Sequence, residues 1–394
     1  MAFDFIDFLE KGIVRHWELD SLSDYGGEPL TYADVAARIS AVHSAFEGMG
    51  IRSDDKIAVC GKNDVRWALA YLSALGFGSV VVPVLSDFHH EDIAHILNHS
   101  ESRVVFITPR IFESLEGEPP DGLDIAISLE DFSVLWSRKS KIREIWEKFA
   151  GPGAGIGSIS REEFSLRSGK GDEELASIIY TSGTSGFSKG VMLPYRSMAV
   201  NNRYARENMP LKPEDRVLSY LPLAHALACA FEFIFPFTAG CHLTFLGKPP
   251  SPKILVAAFA EVRPRLIFFV PLILEKLYKK KILPKLESPA LKVALKIPGV
   301  RDLIYKKFRN TLVETFGGNF LEVVVGGAAL NSEVEKFLRD IGFPMTVGYG
   351  LTECGPLVSY APWKETRFKS VGRTMSYCEV TIDSPDPSSV VGEI

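Results

Sequence analysis

Ser177-Ile178-Ile179-Tyr180-Thr181-Ser182-Gly183-Thr184-Ser185-Gly186-Phe187-Ser188-Lys189-Gly190-Val191 decides the reading of this chain. An apolar, strand-like run feeds a loop of small residues, and a lysine closes it. Glycines let the backbone curl so that several N–H groups point inward, a concavity suited to phosphate oxygens. The Ser and Thr hydroxyls add adjustable donors, and Lys189 adds a mobile positive charge. The stretch therefore predicts a nucleotide triphosphate held by its phosphates.

The Walker A pattern, G-x-x-x-x-G-K-[ST] opening a helix, does not fit. Counting from Gly183, Ser188 stands where the second glycine belongs, and Gly190 follows the lysine. Val191-Met192-Leu193-Pro194 then reads as a second strand. Strand, Gly/Ser/Thr loop, Lys-Gly, strand closely resembles the signature loop of the adenylate-forming (AMP-binding) superfamily. That superfamily includes acyl-CoA synthetases, luciferases and peptide-synthetase adenylation domains. Ser185 and Ser188 replace the Thr and Pro of its usual form.

Two further stretches resemble the same superfamily, in its order. Gly348-Tyr349-Gly350-Leu351-Thr352-Glu353-Cys354-Gly355-Pro356 resembles its second core motif. The resemblance implies that Tyr349 stacks on adenine, Thr352 bonds the α-phosphate and Glu353 helps hold Mg²⁺. Mg²⁺ takes a few hard oxygens beside phosphate oxygens, so Glu353 and the Thr184 hydroxyl suffice as protein ligands. Val325-Gly326-Gly327-Ala328-Ala329-Leu330 resembles the loop that lets adenine and the acyl group approach the backbone. The nucleotide set implied is Thr181 to Gly186 (Thr181, Ser182, Gly183, Thr184, Ser185, Gly186) with Lys189, then Gly327, Ala328, Ala329, and Gly348 to Thr352.

Leu221-Pro222-Leu223-Ala224-His225-Ala226-Leu227-Ala228 resembles the histidine motif of long-chain fatty acyl-CoA synthetases. There the residue at the His225 position borders the carboxylate of the acyl substrate. A histidine among apolar residues is otherwise most often a satisfied core residue. Ala224, Ala226, Ala228 and Ala230 leave room behind it, as an alkyl chain requires.

With 394 residues, 46% of them apolar, the chain can bury a large core divided among subdomains. A net charge of −5 argues against a general polyanion binder, nucleic acid included. Cys60, Cys229, Cys241, Cys354 and Cys378 are scattered and form no C-x-x-C pair, which suits a reducing compartment. The N-terminus lacks the basic start of a secretory signal, so a cytoplasmic location is expected. Trp67 to Leu85 reads as a buried helix entering a parallel strand. Ser219 to Gly240 carries His225, Glu232 and prolines, so neither stretch is expected to span a bilayer.

Helix-like and strand-like segments alternate: Leu30–Met49 (helix), Lys56–Cys60 (strand), Asp64–Leu75 (helix), Arg103–Ile107 (strand), Leu266–Val270 (strand), Ser332–Ile341 (helix, capped near Asn331). Alternation of this kind implies α/β layers with largely parallel sheets. The glycine-rich run from Gly151 to Ser158 is a connector. The fold class expected is α/β, two parallel-sheet α/β subdomains at about 1–170 and 171–343. A small distorted β-barrel subdomain would begin at 344–394, where turn residues rise. This organisation is that of the family's large N-terminal domain.

His89, His90, His95 and His99 lie close together, and His95 and His99 have i, i+4 spacing. The glutamate of H-E-x-x-H is absent between them, so an ordinary packing helix is expected. Residues 276 to 309 hold eleven Lys or Arg against few acids, interleaved with apolar side chains. This reads as a solvated basic face, or as a peripheral contact with anionic lipid on the inner face of a membrane.

The resemblance implies adenylation: a carboxylate attacks the α-phosphate of ATP, pyrophosphate leaves, and an acyl-adenylate forms. The protein's part is alignment and charge stabilisation by Lys189, Thr352, Glu353 and His225. The activity expected is that of a long-chain fatty acid–CoA ligase using ATP, Mg²⁺ and CoA. Adenylation of a short-chain, aryl or amino acid is the alternative, and a non-catalytic acyl- or nucleotide-binding relative a third. The chain ends at Gly392-Glu393-Ile394, which resembles the opening of a further family motif. A truncated chain is therefore expected, lacking the C-terminal catalytic-lid domain and impaired in activity. Acyl chain length and oligomeric state are not legible.

Overall fold

A computed structural model describes residues 4–115, 119–181 and 188–394, the side chain of Lys281 apart. Four sheets carry the described residues. The largest has seven strands, in the order Val134–Ser137, Ile125–Ser128, Ser102–Ile107, Lys56–Cys60, Val80–Val84, Leu175–Thr181, Lys189–Pro194. Its central strands run parallel and are buried on both faces. That is why Ile57, Val59, Val81, Val82, Val104 and Val105 read as continuous β-branched runs rather than alternating ones. The Trp67–Leu85 stretch resolves into the helix Val65–Phe77 and the strand Val80–Val84, joined by Gly78 at φ +90°. Asp64 caps that helix, accepting from the N–H of Trp67 at 2.6 Å.

The two strands flanking the glycine-rich loop complete this first sheet: Ser177 pairs with Val81. The second sheet joins strands from near the N-terminus to strands from the middle of the sequence. Arg216–Ser219 and His242–Phe245 pair parallel, and Asp20–Asp24 adds to the latter with Leu22 opposite Leu243. A third sheet is all parallel, with strands Leu266–Phe269, Glu322–Val325 and Met345–Val347. The small antiparallel sheet of Tyr349–Gly350, Leu357–Tyr360 and Arg373–Thr374 starts directly after it. Parallel pairing in the third sheet thus extends through Val347, three residues past the point where turn composition rises.

One core holds the sheets together. Trp67 and Tyr71 stack at 5.2 Å, and Phe233 meets both edge-on. The antiparallel sheet is tied back by Tyr360, whose hydroxyl donates to the buried Glu322, while Trp363 N–H donates to the other oxygen at 2.8 Å. On the far face of the first sheet, helix His90–His99 packs through Ile93, Ile96 and Leu97. The rings of His95 and His99 stack there, and His99 Nδ1 lies 2.7 Å from the Tyr180 hydroxyl. No helix among the described residues is long and apolar enough to cross a membrane.

Candidate active site

Parallel strands deliver their following loops to a shared edge, and ligands in α/β folds bind there. In the third sheet, Val270, Gly326 and Gly348 each follow a strand's carboxyl end. Gly326 N–H donates to Phe269 O at 3.0 Å, and Gly348 N–H to Val325 O at 2.9 Å, which holds the loops in line. Gly327 has φ +84°, a conformation costly for residues with a side chain. These loops form one side of a cleft of about 490 Å³.

Across that cleft lie Thr181, at the end of its strand, with Leu221, Pro222 and the residues His225 to Ala228. Gly348, Tyr349, Gly350, Leu351, Thr352 and Glu353 line it too, with Phe231, Phe268 and Val324 as apolar floor. A β-carbon on Gly350 would collide with the carbonyl of Pro356, so only glycine fits that turn. Thr352–Cys354 forms a single 3₁₀ turn closed by Gly355 at φ +71°. Helix Tyr195–Asn208 braces it: Asn201 Oδ1 accepts from Leu357 N–H at 3.0 Å.

His225 stands on the cleft wall and is exposed there. The protein around it keeps its pKa below the ordinary imidazole value, favouring the neutral ring. Its N–H donates to Pro222 O at 3.0 Å, closing a turn, and its carbonyl accepts from Cys229 N–H at 3.0 Å. Ala226 and Ala228 line the cleft. Ala226 and Ala230 also border a second, narrow space of about 20 Å³ with Tyr71, Ile179 and Met198. Ala224 faces a different crevice, of about 190 Å³, lined by Lys62, Ser86, Asp87 and Lys248 and sharing Pro222 with the cleft wall.

The structure thus brings Thr181, His225, Gly327 and Gly348 to Glu353 around one space. Lys189 is exposed and pairs in register with Thr181 across the two strands, at the cleft's margin rather than in its lining. Ala328 and Ala329 are exposed beyond Gly327 and do not line the cleft. Ser182, Gly183, Thr184, Ser185 and Gly186 lie outside the described residues. Glu353 is exposed at the cleft, a hard oxygen donor of the kind Mg²⁺ takes.

Sequence reasoning misses the support behind His225. Glu232 is fully buried on a π-helical turn, Cys229–Ile234, and its Oε2 accepts from Tyr220 and Leu221 N–H, each at 3.0 Å. Burial pushes its pKa up to about 8, against the pull of those two donors. A lone acid in an apolar run gives no hint of its partners. Asn63, 160 residues away, accepts from Leu223 N–H at 3.0 Å and donates to Leu221 O at 2.7 Å.

A family model described as AMP-binding enzyme matches residues 12–394. Among curated proteins, the chain is 26% identical to a chloroplastic long-chain-fatty-acid–[acyl-carrier-protein] ligase of Arabidopsis thaliana, over 92% of this chain and 57% of that one. It is also 26% identical to a long-chain-fatty-acid–CoA ligase of Mycobacterium bovis, over 87% of this chain and 59% of the relative. The chain spans about three fifths of the length of these relatives. Among solved structures, the inhibitor-bound N-terminal domain of FACL13 from Mycobacterium tuberculosis superposes with a TM-score of 0.71 at 20% identity, covering 96% of this chain and 83% of that one. A benzoate CoA ligase from Burkholderia xenovorans LB400 gives 0.70 at 18% identity, covering 95% and 66%. At such identities the structures bear on the fold alone, and they match the α/β architecture expected from the sequence.

Proposed function

The chain belongs to the AMP-binding enzyme family, and on that premise we propose that it forms the large domain of a ligase that activates a fatty acid as its acyl-adenylate. The observation that carries this reading is the grouping of Thr181, His225, Gly327 and Gly348 to Glu353 around one cleft, with an apolar wall of Ala228, Phe231, Phe268 and Val270. The carboxylate is itself the nucleophile. The site has to align it with the α-phosphate and stabilise charge as pyrophosphate leaves. Tyr349 and the backbone at Gly327 are suited to adenine, and Thr352 to the α-phosphate. Neutral His225, on the cleft wall, is suited to donate to the acid's carboxylate. Thr184 and Glu353 would hold Mg²⁺, which offsets the charge of the phosphates. Lys189, at the margin, is suited to the outgoing phosphates.

Transfer to a thiol is part of the proposal for the full-length protein. CoA is the acceptor favoured, and the carrier protein in the name of the Arabidopsis relative is the other. The crevice beside Pro222 supports a phosphate-bearing acceptor, because Lys62 and Lys248 both line it. Long-chain acids partition into bilayers, and the basic segment supports a peripheral lipid contact. Leu303 is 70% exposed and Val293 64%, among the lysines and arginines of residues 276–309. Each well-placed cation contributes about 1 kcal/mol at an anionic surface.

The narrow space beyond Ala226 favours a shorter acid as the second reading, since about 20 Å³ admits little more than one water-sized group. Thermal unfolding with non-hydrolysable acyl-adenylate analogues separates the two. A ligand at about 1,000 times its Kd stabilises by about 4 kcal/mol. Preferential stabilisation by the palmitoyl analogue supports the fatty-acid reading. Preference for acetyl, benzoyl or aminoacyl analogues replaces it, and no shift with any of them refutes the adenylate site.

A further inference from the structure

We infer that Glu232 and Asn63 form a buried two-sided clamp that positions His225 at the acid end of the cleft, which makes Glu232 a positioning residue for recognition of the carboxylate. The inference rests on the adenylation reading, and it assigns the acid-binding wall a support that no sequence motif marks.

After the strand Arg216–Ser219 the chain leaves the sheet, so the N–H groups of Tyr220, Leu221 and Leu223 lose their strand partners. Buried amides without partners are costly. Glu232 satisfies two of them through one oxygen, and Asn63 satisfies the third while donating to Leu221 O. Both clamp residues are buried, Glu232 completely. Two turns link this clamped segment to the histidine: His225 N–H bonds Pro222 O, and Cys229 N–H bonds His225 O. Tyr220 anchors the same segment from a third side, its hydroxyl donating to Phe268 O in the cleft floor.

The π-helical turn gives the arrangement its reach. A π turn inserts one extra residue relative to an α-helix and rotates the residues after it, and such turns recur at functional sites. Here the turn Cys229–Ile234 begins four residues after His225 and carries Glu232 back to the start of the loop. The Glu232 carboxyl group therefore joins the first and last parts of one excursion, residues 220 to 232, with His225 between them. Glu232 Oε1 has no hydrogen-bond partner among the described residues; the carboxyl engages the two backbone amides through Oε2, with the Ser219 side chain beside it as a further donor. A methyl group at this position would leave both amides unbonded in the core, whereas glutamine would keep an oxygen for them.

The test uses this chain with two probes, AMP and a non-hydrolysable palmitoyl-adenylate analogue, titrated against wild type, Glu232→Gln, Glu232→Ala and Asn63→Ala. AMP lacks the acid, so it reads the nucleotide half alone. Both Ala variants are expected to weaken the acyl analogue by about tenfold or more relative to AMP, and Glu232→Gln to stay within about threefold of wild type. The ring ¹⁵N resonances of His225 should shift in the Ala variants and return with Gln. Unchanged acyl-to-AMP selectivity and an unchanged His225 signal in the Ala variants overturn the clamp while leaving the adenylate site intact. If Glu232→Ala fails to fold, Asn63→Ala decides alone, since it removes the other arm. Wild type that binds AMP no better than an unrelated nucleotide would instead overturn the adenylation reading, and the clamp's purpose with it.

Discussion

Gly326 and Leu227 face one another inside the cleft: a β-carbon built on Gly326 would stand 3.4 Å from Leu227 Cδ2. Any larger side chain at 326 fills the gap between the glycine loop and the His225 wall. Gly326→Val is expected to weaken palmitoyl-adenylate analogue binding by roughly tenfold. AMP affinity should change by less than about threefold. Calorimetric titration of both ligands checks this, and equal losses would place the acyl group elsewhere.

Gly350 occupies a turn where a β-carbon meets the main-chain carbonyl of Pro356. Backbone cannot swing aside as a side-chain tip can, so Gly350→Ala should shift the whole Tyr349 to Glu353 segment. A loss of about 2 kcal/mol or more in unfolding free energy is expected, with adenylate-analogue binding abolished. Urea unfolding and titration measure the two effects separately.

Tyr360 and Glu322 couple the antiparallel sheet to the third parallel sheet through a buried hydrogen bond. Tyr360→Phe keeps the ring and deletes the donor, leaving a buried carboxyl with only Trp363 N–H on its other oxygen. The cost should be about 2 kcal/mol in urea unfolding. A neutral result would show that water replaces the hydroxyl.

Burial pushes the pKa of His43 down to about 4, only partly opposed by its hydrogen bond to Ser73 O at 2.9 Å. The folded state holds the ring neutral while the unfolded chain, with an ordinary value near 6.5, takes up a proton on acidification. Its contribution to stability is therefore full above pH about 6.5 and falls as pH drops toward 4, by about 3 kcal/mol in all. Wild type and His43→Gln compared by urea unfolding at pH 7 and pH 5 should diverge, the wild type losing more stability on acidification. Parallel losses would mean the histidine does not carry the pH dependence.

Legibility in the sequence tracks the range of the interaction. Lys56–Cys60 and Ser102–Ile107 are readable because a strand buried on both faces must be apolar throughout. The helix after Asn331 is readable because its cap is only two and three residues from the groups it caps, Asn331 Oδ1 accepting from Glu333 and Val334 N–H. The cleft's glycines announce themselves, since backbone approach admits few other residues. Glu232 and Asn63 do not, because their partners are backbone amides whose need arises only once the chain has left the sheet. Nor does composition say that Ala224 faces a different crevice from Ala226 and Ala228. Side-chain direction there follows the turn closed by His225 N–H on Pro222 O, in a segment held by the distant Asn63 and Glu232.

The strand Asp20–Asp24 lies between Leu30–Thr31 and His242–Phe245 in the second sheet. Its parallel neighbour is made roughly 220 residues later. At about 5–20 residues per second, a ribosome would need about 10–45 s to produce that partner. Throughout that interval Leu22 and its neighbours present an unpaired edge on a nascent chain, the kind of surface on which chains pair wrongly with one another. Yield on overexpression should therefore depend on translation speed across residues 25 to 245 as much as on the stability of the finished fold.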